Sequence, residues 1–278
     1  MDGAADLHCH FGPDPHRERS VDAFEAAADA QAAGHAAIVL KSHSEPTASL
    51  AWAVQRTVRD TKVFGGICCD REVGGVNPVA VETALRLGAK IVWLPTLSSQ
   101  QDVDNGVAAQ LGLPTEGLRV CDDGGRLLPE TLAVLDLVAQ YDAVLATGHT
   151  SALEHYEVVR EFGRRGKVLV THATEDLAGA NLSAAQCVAL ADLGAVIELC
   201  AMTCIGALAT RSVAEIAAVV QAVGPARCTL ATDYGQKVNP RPAAGLASFV
   251  DALWAEGCPE ADLRLMACHN PQQLLTLR

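Results

Sequence analysis

The chain has 278 residues and a formal net charge of -12, and half of its residues are hydrophobic while only 4% are aromatic. A core of this composition must be built from Ala, Val, Leu and Ile, which suits a buried parallel sheet packed against helices. The acidic balance argues against nucleic acid as a partner, because nucleic-acid binders present clustered Lys and Arg, whereas the densest basic run here is Arg164, Arg165 and Lys167.

The ten cysteines are scattered and form no CxxC pair, which favours a reducing compartment over a disulfide framework. The N-terminal MDGAADLHCH lacks the basic start and apolar stretch of a signal peptide, and no apolar segment reaches the ~20 residues of a membrane span. We therefore expect a soluble, cytoplasmic protein with no membrane partner.

Eight short apolar runs alternate with longer segments of helical periodicity from one end of the chain to the other, as in βα units. The first helical segment, VDAFEAAADAQAAG, is predicted to be capped by Ser20 and stopped by Gly34, and the third to begin with Asn77 and Pro78 and to end at Gly88. Eight such units favour closure into a (β/α)8 TIM barrel. The predicted strands are 4–8, 36–41, 63–69, 90–94, 143–147, 168–171, 195–199 and 229–232.

No linker or charge block divides the chain, so we predict one α/β domain over residues 1–278. One stretch is irregular: about thirty residues, 95–128, separate the fourth strand from its helix, which is long for a βα loop. Within it, LRVCDDGGRLL resembles a small hairpin. Loops at this end of a barrel build the active site, so the insertion is either a lid or substrate wall, or a surface loop without a role.

Five histidines and one aspartate lie at or near the ends of predicted strands, where a barrel would gather them in one pocket. His8 and His10 end the first strand as HxH, with both imidazoles on one side because side chains alternate along a strand. His149, His172 and Asp233 follow the fifth, sixth and eighth strands. This mixed nitrogen and oxygen set suits a divalent metal, most readily Zn, with Mn, Fe or Co as alternatives.

These residues resemble the hallmark of the amidohydrolase superfamily, which has HxH after the first strand, His after the fifth and sixth, and Asp after the eighth. DLHCH, ATGHTS, VTHAT and LATDYGQ match those places in order. GPARCTLATDYG and LRLMACHNPQQLL also resemble the end of the amidohydrolase-related branch, which contains hydrolases and metal-dependent decarboxylases. The resemblance implies a metal-dependent enzyme with one or two ions held by His8, His10, His149, His172 and Asp233.

The fourth strand departs from that pattern. Family members with two metals usually bridge them with a carboxylated Lys or a Glu from this strand, and IVWLPTLSS offers neither. Lys41, which ends the second strand, could be an unusual carboxylated bridge, a cation for a substrate carboxylate, a desolvated base, or a rim lysine in a salt bridge. His43 is a substrate contact, a further ligand or a solvated loop residue.

Several further residues near the same strand ends have open roles. The acids after the third strand could supply the missing carboxylate or lie in a solvated turn, and the acid on the seventh strand faces either the pocket or the helices. The aromatics either line the pocket or pack, and the two cysteines lack the second pair that a structural zinc needs. These residues are Asp70, Glu72, Glu198, Trp93, Tyr234, Cys200 and Cys204.

The predicted chemistry follows from one metal with an open position for water, which loses a proton more readily when bound to the cation. Asp233 would accept that proton, and His172 would orient the substrate or hold a second metal. We predict hydrolysis of a C–N bond in a small amide, cyclic amide or deaminatable molecule. The alternatives are non-oxidative decarboxylation, in which Lys41 would bind a carboxylated substrate, lactone or phosphoester hydrolysis, and a metal-storing or ligand-sensing barrel without turnover. The Ala- and Leu-rich helices are compatible with a homo-oligomer.

Overall fold

The computed structural model describes residues 1–277 and contains one sheet of eight parallel strands, each paired with the next in sequence order. The first and last strands close the sheet, because the His10 amide donates to the Tyr234 carbonyl at 2.8 Å and the Asp233 amide to the His8 carbonyl at 3.0 Å. The predicted (β/α)8 barrel is therefore confirmed. The strands are β1 (Ala5–His10), β2 (Ala37–Lys41), β3 (Lys62–Cys68), β4 (Ile91–Trp93), β5 (Val144–Ala146), β6 (Lys167–Val170), β7 (Val196–Cys200) and β8 (Cys228–Ala231).

Helices follow the strands and cover the barrel. The α-helices are α1 (Ala23–Ala32), α2 (Ala48–Val54), α3 (Pro78–Arg86), α4 (Gln100–Asp104), α5 (Val107–Gln110), α6 (Pro129–Gln140), α7 (Ala152–Phe162), α8 (Ala184–Asp192), α9 (Ala201–Cys204), α10 (Val213–Val223), α11 (Pro242–Ala255), α12 (Glu260–Arg264) and α13 (Asn270–Leu274). Short 3-10 turns span Gln55–Thr57, Arg71–Val73 and Pro225–Arg227, and a π-helical turn spans Leu265–His269.

Side-chain caps define where several helices start. Asn77 caps α3 by accepting from the Val79 amide, with Pro78 in the first turn, as the sequence predicts. The predicted Ser20 cap of α1 is wrong, because Asp22 forms a reciprocal capping box with Glu25 one turn later in the chain. The Ser20 amide instead donates to the Gly235 carbonyl, and so ties this segment to the loop after β8.

A bulge in β1 decides which way the HxH pair points. Before it, Ala5 and Leu7 pack inside the barrel; after it, Cys9 packs outside, toward α1 and α2. The register with β2 shifts between Asp6 and Cys9. Without this extra residue, strict alternation would have continued from Leu7 and turned the histidines toward the helices. The bulge therefore aims both imidazoles into the barrel mouth.

The buried Asp6 carboxylate holds this bulge in place. One of its oxygens accepts from the amides of His8 and Thr232, each at 3.1 Å, and the other accepts from the Thr232 hydroxyl at 2.5 Å. Asp6 thus joins the bulged part of β1 to the end of β8, at the seam where the barrel closes.

The long segment between β4 and α6 is partly helical. It contains α4 and α5, which the sequence reading did not predict, and a single antiparallel bridge between Cys121 and Leu127 where a hairpin was expected. The ten cysteines, all within the described residues, are free and buried. Across residues 1–277, no helix is both long enough and apolar enough to cross a bilayer.

Candidate metal centre

Five buried histidines form a closed ring at the carboxyl end of the barrel. Neighbouring imidazole centroids lie 5.3, 4.9, 5.9, 4.6 and 5.9 Å apart around the ring, in the order His8, His10, His43, His149, His172 and back to His8. The structure thus brings together all five histidines that the sequence places near strand ends, including His43, whose position was open.

Asp233 lies against one side of this ring. Its Oδ1 is 3.1 Å from His8 Nε2 and 3.0 Å from His10 Nε2. Tetrahedral zinc with bonds of ~2.0–2.1 Å separates its ligand atoms by ~3.4 Å, so each of these two nitrogen–oxygen distances is close to the spacing of a ligand pair on one ion. The donor set is also chemically suitable, because imidazole nitrogens and a carboxylate oxygen bind Zn, Mn, Fe and Co.

Two of these residues adopt strained backbone conformations. His172 has φ of +25° and Asp233 has φ of +53°, in the left-handed region that residues with a Cβ rarely occupy. Such strain persists only where the surroundings impose it, and it concentrates at functional sites. Both residues lie two positions beyond the ends of β6 and β8, where the chain turns at the mouth of the barrel.

Glu198 supports the ring from inside the barrel. Its Oε2 accepts from His8 Nδ1 at 3.1 Å and from the His172 amide at 2.9 Å. The residue therefore faces the pocket, which settles the orientation that strand alternation alone left open. A proton held on Nδ1 by a carboxylate leaves Nε2 as the metal-binding nitrogen, as is usual for histidine ligands.

Asp102 on α4 plays the same part for His149. Its Oδ2 lies 2.6 Å from His149 Nδ1, and its Oδ1 accepts from the Gly179 amide at 2.8 Å. The carboxylate is fully buried. The insertion between β4 and α6 therefore orients one of the histidines that the sequence predicts as a metal ligand.

A third carboxylate acts on His43 through a hydroxyl. His43 Nδ1 lies 2.6 Å from Thr96 Oγ1, and Thr96 donates its hydroxyl proton to Asp70. Asp70 is buried and also accepts from the amides of Thr96 and Ser98 at 2.8 and 2.9 Å. It is therefore not a solvated turn residue: it fixes His43 with its Nε2 directed away from Thr96.

The electrostatics match a site for a cation. Burial lowers the pKa of His8, but the negative charges of Asp233 and Glu198 outweigh this effect and raise the pKa to about 9. Burial raises the pKa of Asp233, yet the charge of His8 and the hydrogen bonds of His10 and His8 hold it well below its usual value. A cation between these groups would replace the proton on His8 Nε2 and keep the carboxylate paired.

Burial lowers the pKa values of three further imidazoles of the ring. Those of His10, His43 and His172 fall well below the ordinary value, with desolvation as the largest cause and nearby positive charges adding to it. These rings are therefore neutral, which is the form that binds a metal.

The other residues singled out in the sequence divide between the pocket and the packing around it. Lys41 is buried at the end of β2 with Nζ 5.6 Å from the centroid of the Trp93 ring, and it lines the cavity. The Tyr234 hydroxyl donates to the Ile205 carbonyl at 2.6 Å and is a packing residue. Cys200 has its Sγ within 4.8 Å of ligand atoms of His8 and Asp233.

Two further residues lie away from the ring. Cys204 ends α9 and packs in the main hydrophobic core, and Glu72 lies at the rim with Oε1 3.5 Å from His16 Nε2.

Asp6, Thr96 and Asp102 are not among the residues that the sequence pattern singles out. Asp102 sits in SSQQD, where Ser99 caps α4 by accepting from the Asp102 amide, a signal for a helix start and nothing more. Its contact with His149 joins two segments 47 residues apart. Only the folded barrel brings them together.

Comparison with known proteins supports the barrel fold. Similar solved structures include 2,6-dihydroxybenzoate decarboxylase from Rhizobium, with a TM-score of 0.65, 12% identity, and coverage of 100% of this chain and 99% of that chain. The dipeptidase AC, a metallopeptidase of family M19, has a TM-score of 0.67 and 12% identity, with coverage of 99% of this chain and 98% of that chain. A dihydroorotase has a TM-score of 0.62 and 14% identity, with coverage of 100% of this chain and 70% of that chain. At these identities the likeness establishes the fold.

No curated protein matches the sequence significantly. Residues 3–198 match a family of unknown function, DUF6282. The matched part includes the five histidines of the ring, Lys41 and Glu198, whereas β8 and Asp233 lie beyond it. The chain therefore belongs to the DUF6282 family, and its fold is a (β/α)8 barrel like those of the solved structures named above.

Proposed function

We propose that this chain is a metal-dependent hydrolase that acts on a C–N bond of a small amide, cyclic amide or deaminatable molecule. The observation that carries the proposal is the ring of five histidines closed by Asp233, with three of its imidazoles oriented by buried carboxylates. Structural sites need four ligands and no cavity, whereas this ring opens onto a cavity of about 80 Å³.

The protein residues divide the work by position. His8, His10, His149 and Asp233 would hold the metal, and His172 would hold a second ion or orient the substrate. A divalent cation there would act as a Lewis acid toward water or a substrate oxygen. Asp233 is buried and lines the cavity, so its carboxylate would be placed to accept a proton and return it to the leaving nitrogen.

Metal analysis and turnover of matched variants test this proposal. Purified protein is expected to contain one or two divalent ions per chain, most readily zinc, and to hydrolyse at least one member of an amide, cyclic amide and amine panel in H₂¹⁸O with label entering the product. His149→Ala should lower both metal content and turnover. His269→Gln should change neither, because His269 is exposed and ends the π-helical turn Leu265–His269. Wild-type turnover in His149→Ala would refute the assigned site.

Non-oxidative decarboxylation is the second candidate, because the buried Lys41 ammonium in the cavity could hold a substrate carboxylate. A structural relative is a decarboxylase by its name, 2,6-dihydroxybenzoate decarboxylase. Carbon dioxide released from a carboxylic acid, without ¹⁸O in the organic product, would favour this reaction over hydrolysis.

A further inference from the structure

The cavity at the barrel mouth has two unlike walls. One wall carries four of the ring histidines, all except His8, together with Asp233 and the basic side chains of Lys41, Arg17 and Arg19. The other is apolar and is formed from the segments after β4, β6 and β7; it consists of Leu97, Val107, Leu177, Ala178, Met202 and Leu208. A ligand that satisfies both walls has a charged end and an apolar body.

Lys41 is the unusual member of the polar wall. It is only 1% exposed, and its Nζ has no hydrogen-bond acceptor and no carboxylate within 4 Å anywhere in residues 1–277. A buried charge without a partner is costly, so such groups are normally paired. A shortage of acidic residues does not explain why Lys41 lacks a partner, because the chain has 33 Asp and Glu against 21 Lys and Arg.

The neighbouring charges do not neutralise Lys41. Asp233 is the one acid among the residues that line the cavity, and its Oδ1 is shared by His8 and His10. Arg19, in contrast, is already paired: its Nε and Nη2 donate to Asp14 Oδ2 at 3.0 and 2.6 Å. The wall therefore offers one buried cation whose partner must come from a ligand.

We propose that Lys41 binds the carboxylate of an organic acid whose apolar part lies against Leu97, Val107 and Met202. This inference rests on the proposed function, since it names the substrate class of the same site. A carboxylate suits the site better than a phosphate, because phosphate sites usually add arginine forks or helix N-termini to a lysine, whereas here Arg19 is held by Asp14 and Arg17 is exposed.

Binding of matched acid and amide probes tests the assignment. Benzoate and benzamide, and butyrate and butyramide, differ in charge but little in shape. Each is titrated calorimetrically into metal-loaded protein and into chelator-treated protein, for the wild type, Lys41→Met and Lys62→Met. Lys62 is an exposed lysine at the start of β3, at the opposite end of the barrel, and its loss is the control for a change of one charge.

In wild type and Lys62→Met, at least one acid is expected to bind about tenfold or more tightly than its amide, the scale of a hydrogen bond to a charged group. Lys41→Met should lose this preference, keep its metal and melt at a higher temperature than wild type, because an unpaired buried charge is gone. Chelator-treated wild type should keep part of the preference, which separates anion binding from metal-dependent catalysis.

Three results would overturn the inference. If no acid is preferred in the wild type, or if Lys41→Met keeps the preference, the ammonium does not bind the carboxylate. If Lys41→Met loses a metal ion, Lys41 bridges metals instead. If Lys41→Met melts below Lys62→Met with its metal retained, the lysine stabilises the fold by contacts of its own. Failure of turnover alone, with the acid preference intact, would count against the proposed function only.

Discussion

Replacing Asp102 with asparagine should weaken metal binding without disturbing the barrel. Asp102 accepts from both the His149 ring and the Gly179 amide. An asparagine can still accept from Gly179 through its oxygen, but its NH₂ group then faces His149 Nδ1 and can only donate. The imidazole must respond by moving its proton from Nδ1 to Nε2, the nitrogen that the ring presents to the metal.

The magnitude follows from the contact that is lost. Partners of metal-bound histidines typically contribute 10- to 100-fold in metal affinity, which corresponds to about 1.4–2.7 kcal/mol. By linkage, the stabilisation that saturating metal confers on the folded chain should shrink by the same amount. For a chain of this size, that is a loss of about 2–5 °C from the rise in Tm that metal produces in the wild type.

Competition with a chelator of known affinity, together with melting curves with and without zinc, measures both quantities. Asp104→Asn is the matched control, because Asp104 lies on the same helix, is exposed and contacts only Gln100 through its side chain among the described residues. Equal metal affinity in Asp102→Asn, Asp104→Asn and wild type would refute the orienting role. Unfolding of Asp102→Asn even without metal would show a structural role instead.

Three further predictions use other parts of the structure. Burial and the N-terminal charge lower the pKa of His35 to about 4. Its neutral form therefore stabilises the fold above pH 6.5, and this contribution of about 3 kcal/mol is lost as pH falls toward 4. In urea titrations, His35→Gln should reduce the fall in unfolding free energy between pH 6.5 and pH 4, and His269→Gln should not. Glu198→Gln should lower metal affinity about tenfold, because the His8 ring loses its charged acceptor, as chelator competition would show. Gly148→Ala should lower Tm by several degrees in a thermal melt, because Gly148 has φ of +67° and an added Cβ would lie 2.2 Å from a backbone oxygen of the fourth βα segment; an unchanged Tm would show that this turn can relax.

The fold was predictable because the sequence repeats one strand–helix pattern eight times. Eight apolar runs of strand length, each followed by a helical segment, leave few arrangements other than a barrel, and Asn77 with Pro78 marks a helix start unambiguously. The HxH pair and Asp233 could be singled out from the sequence because metal-binding side chains lie there at or near the ends of predicted strands. Their roles as metal ligands remain predictions.

The parts that escaped prediction depend on contacts between distant segments. The bulge in β1 leaves no mark in ADLHCH, yet it sets the direction of His8 and His10. Asp6 and Asp102 lie in segments whose local patterns indicate only a strand and a short helix, and their partners lie 226 and 47 residues away. Local periodicity carries no information about such pairs.

The insertion after β4 shares its anchors with the metal centre. Asp102 bonds both the Gly179 amide and the His149 ring, and the Asn105 side chain donates to the Gly179 carbonyl at 2.9 Å. Any motion that lifts α4 to widen the entrance therefore also releases one imidazole. In the proposed enzyme, opening for product release and holding the ion would be competing demands on one carboxylate. Amide hydrogen exchange at Gly179 should therefore slow when metal binds and should report the rate at which the entrance opens.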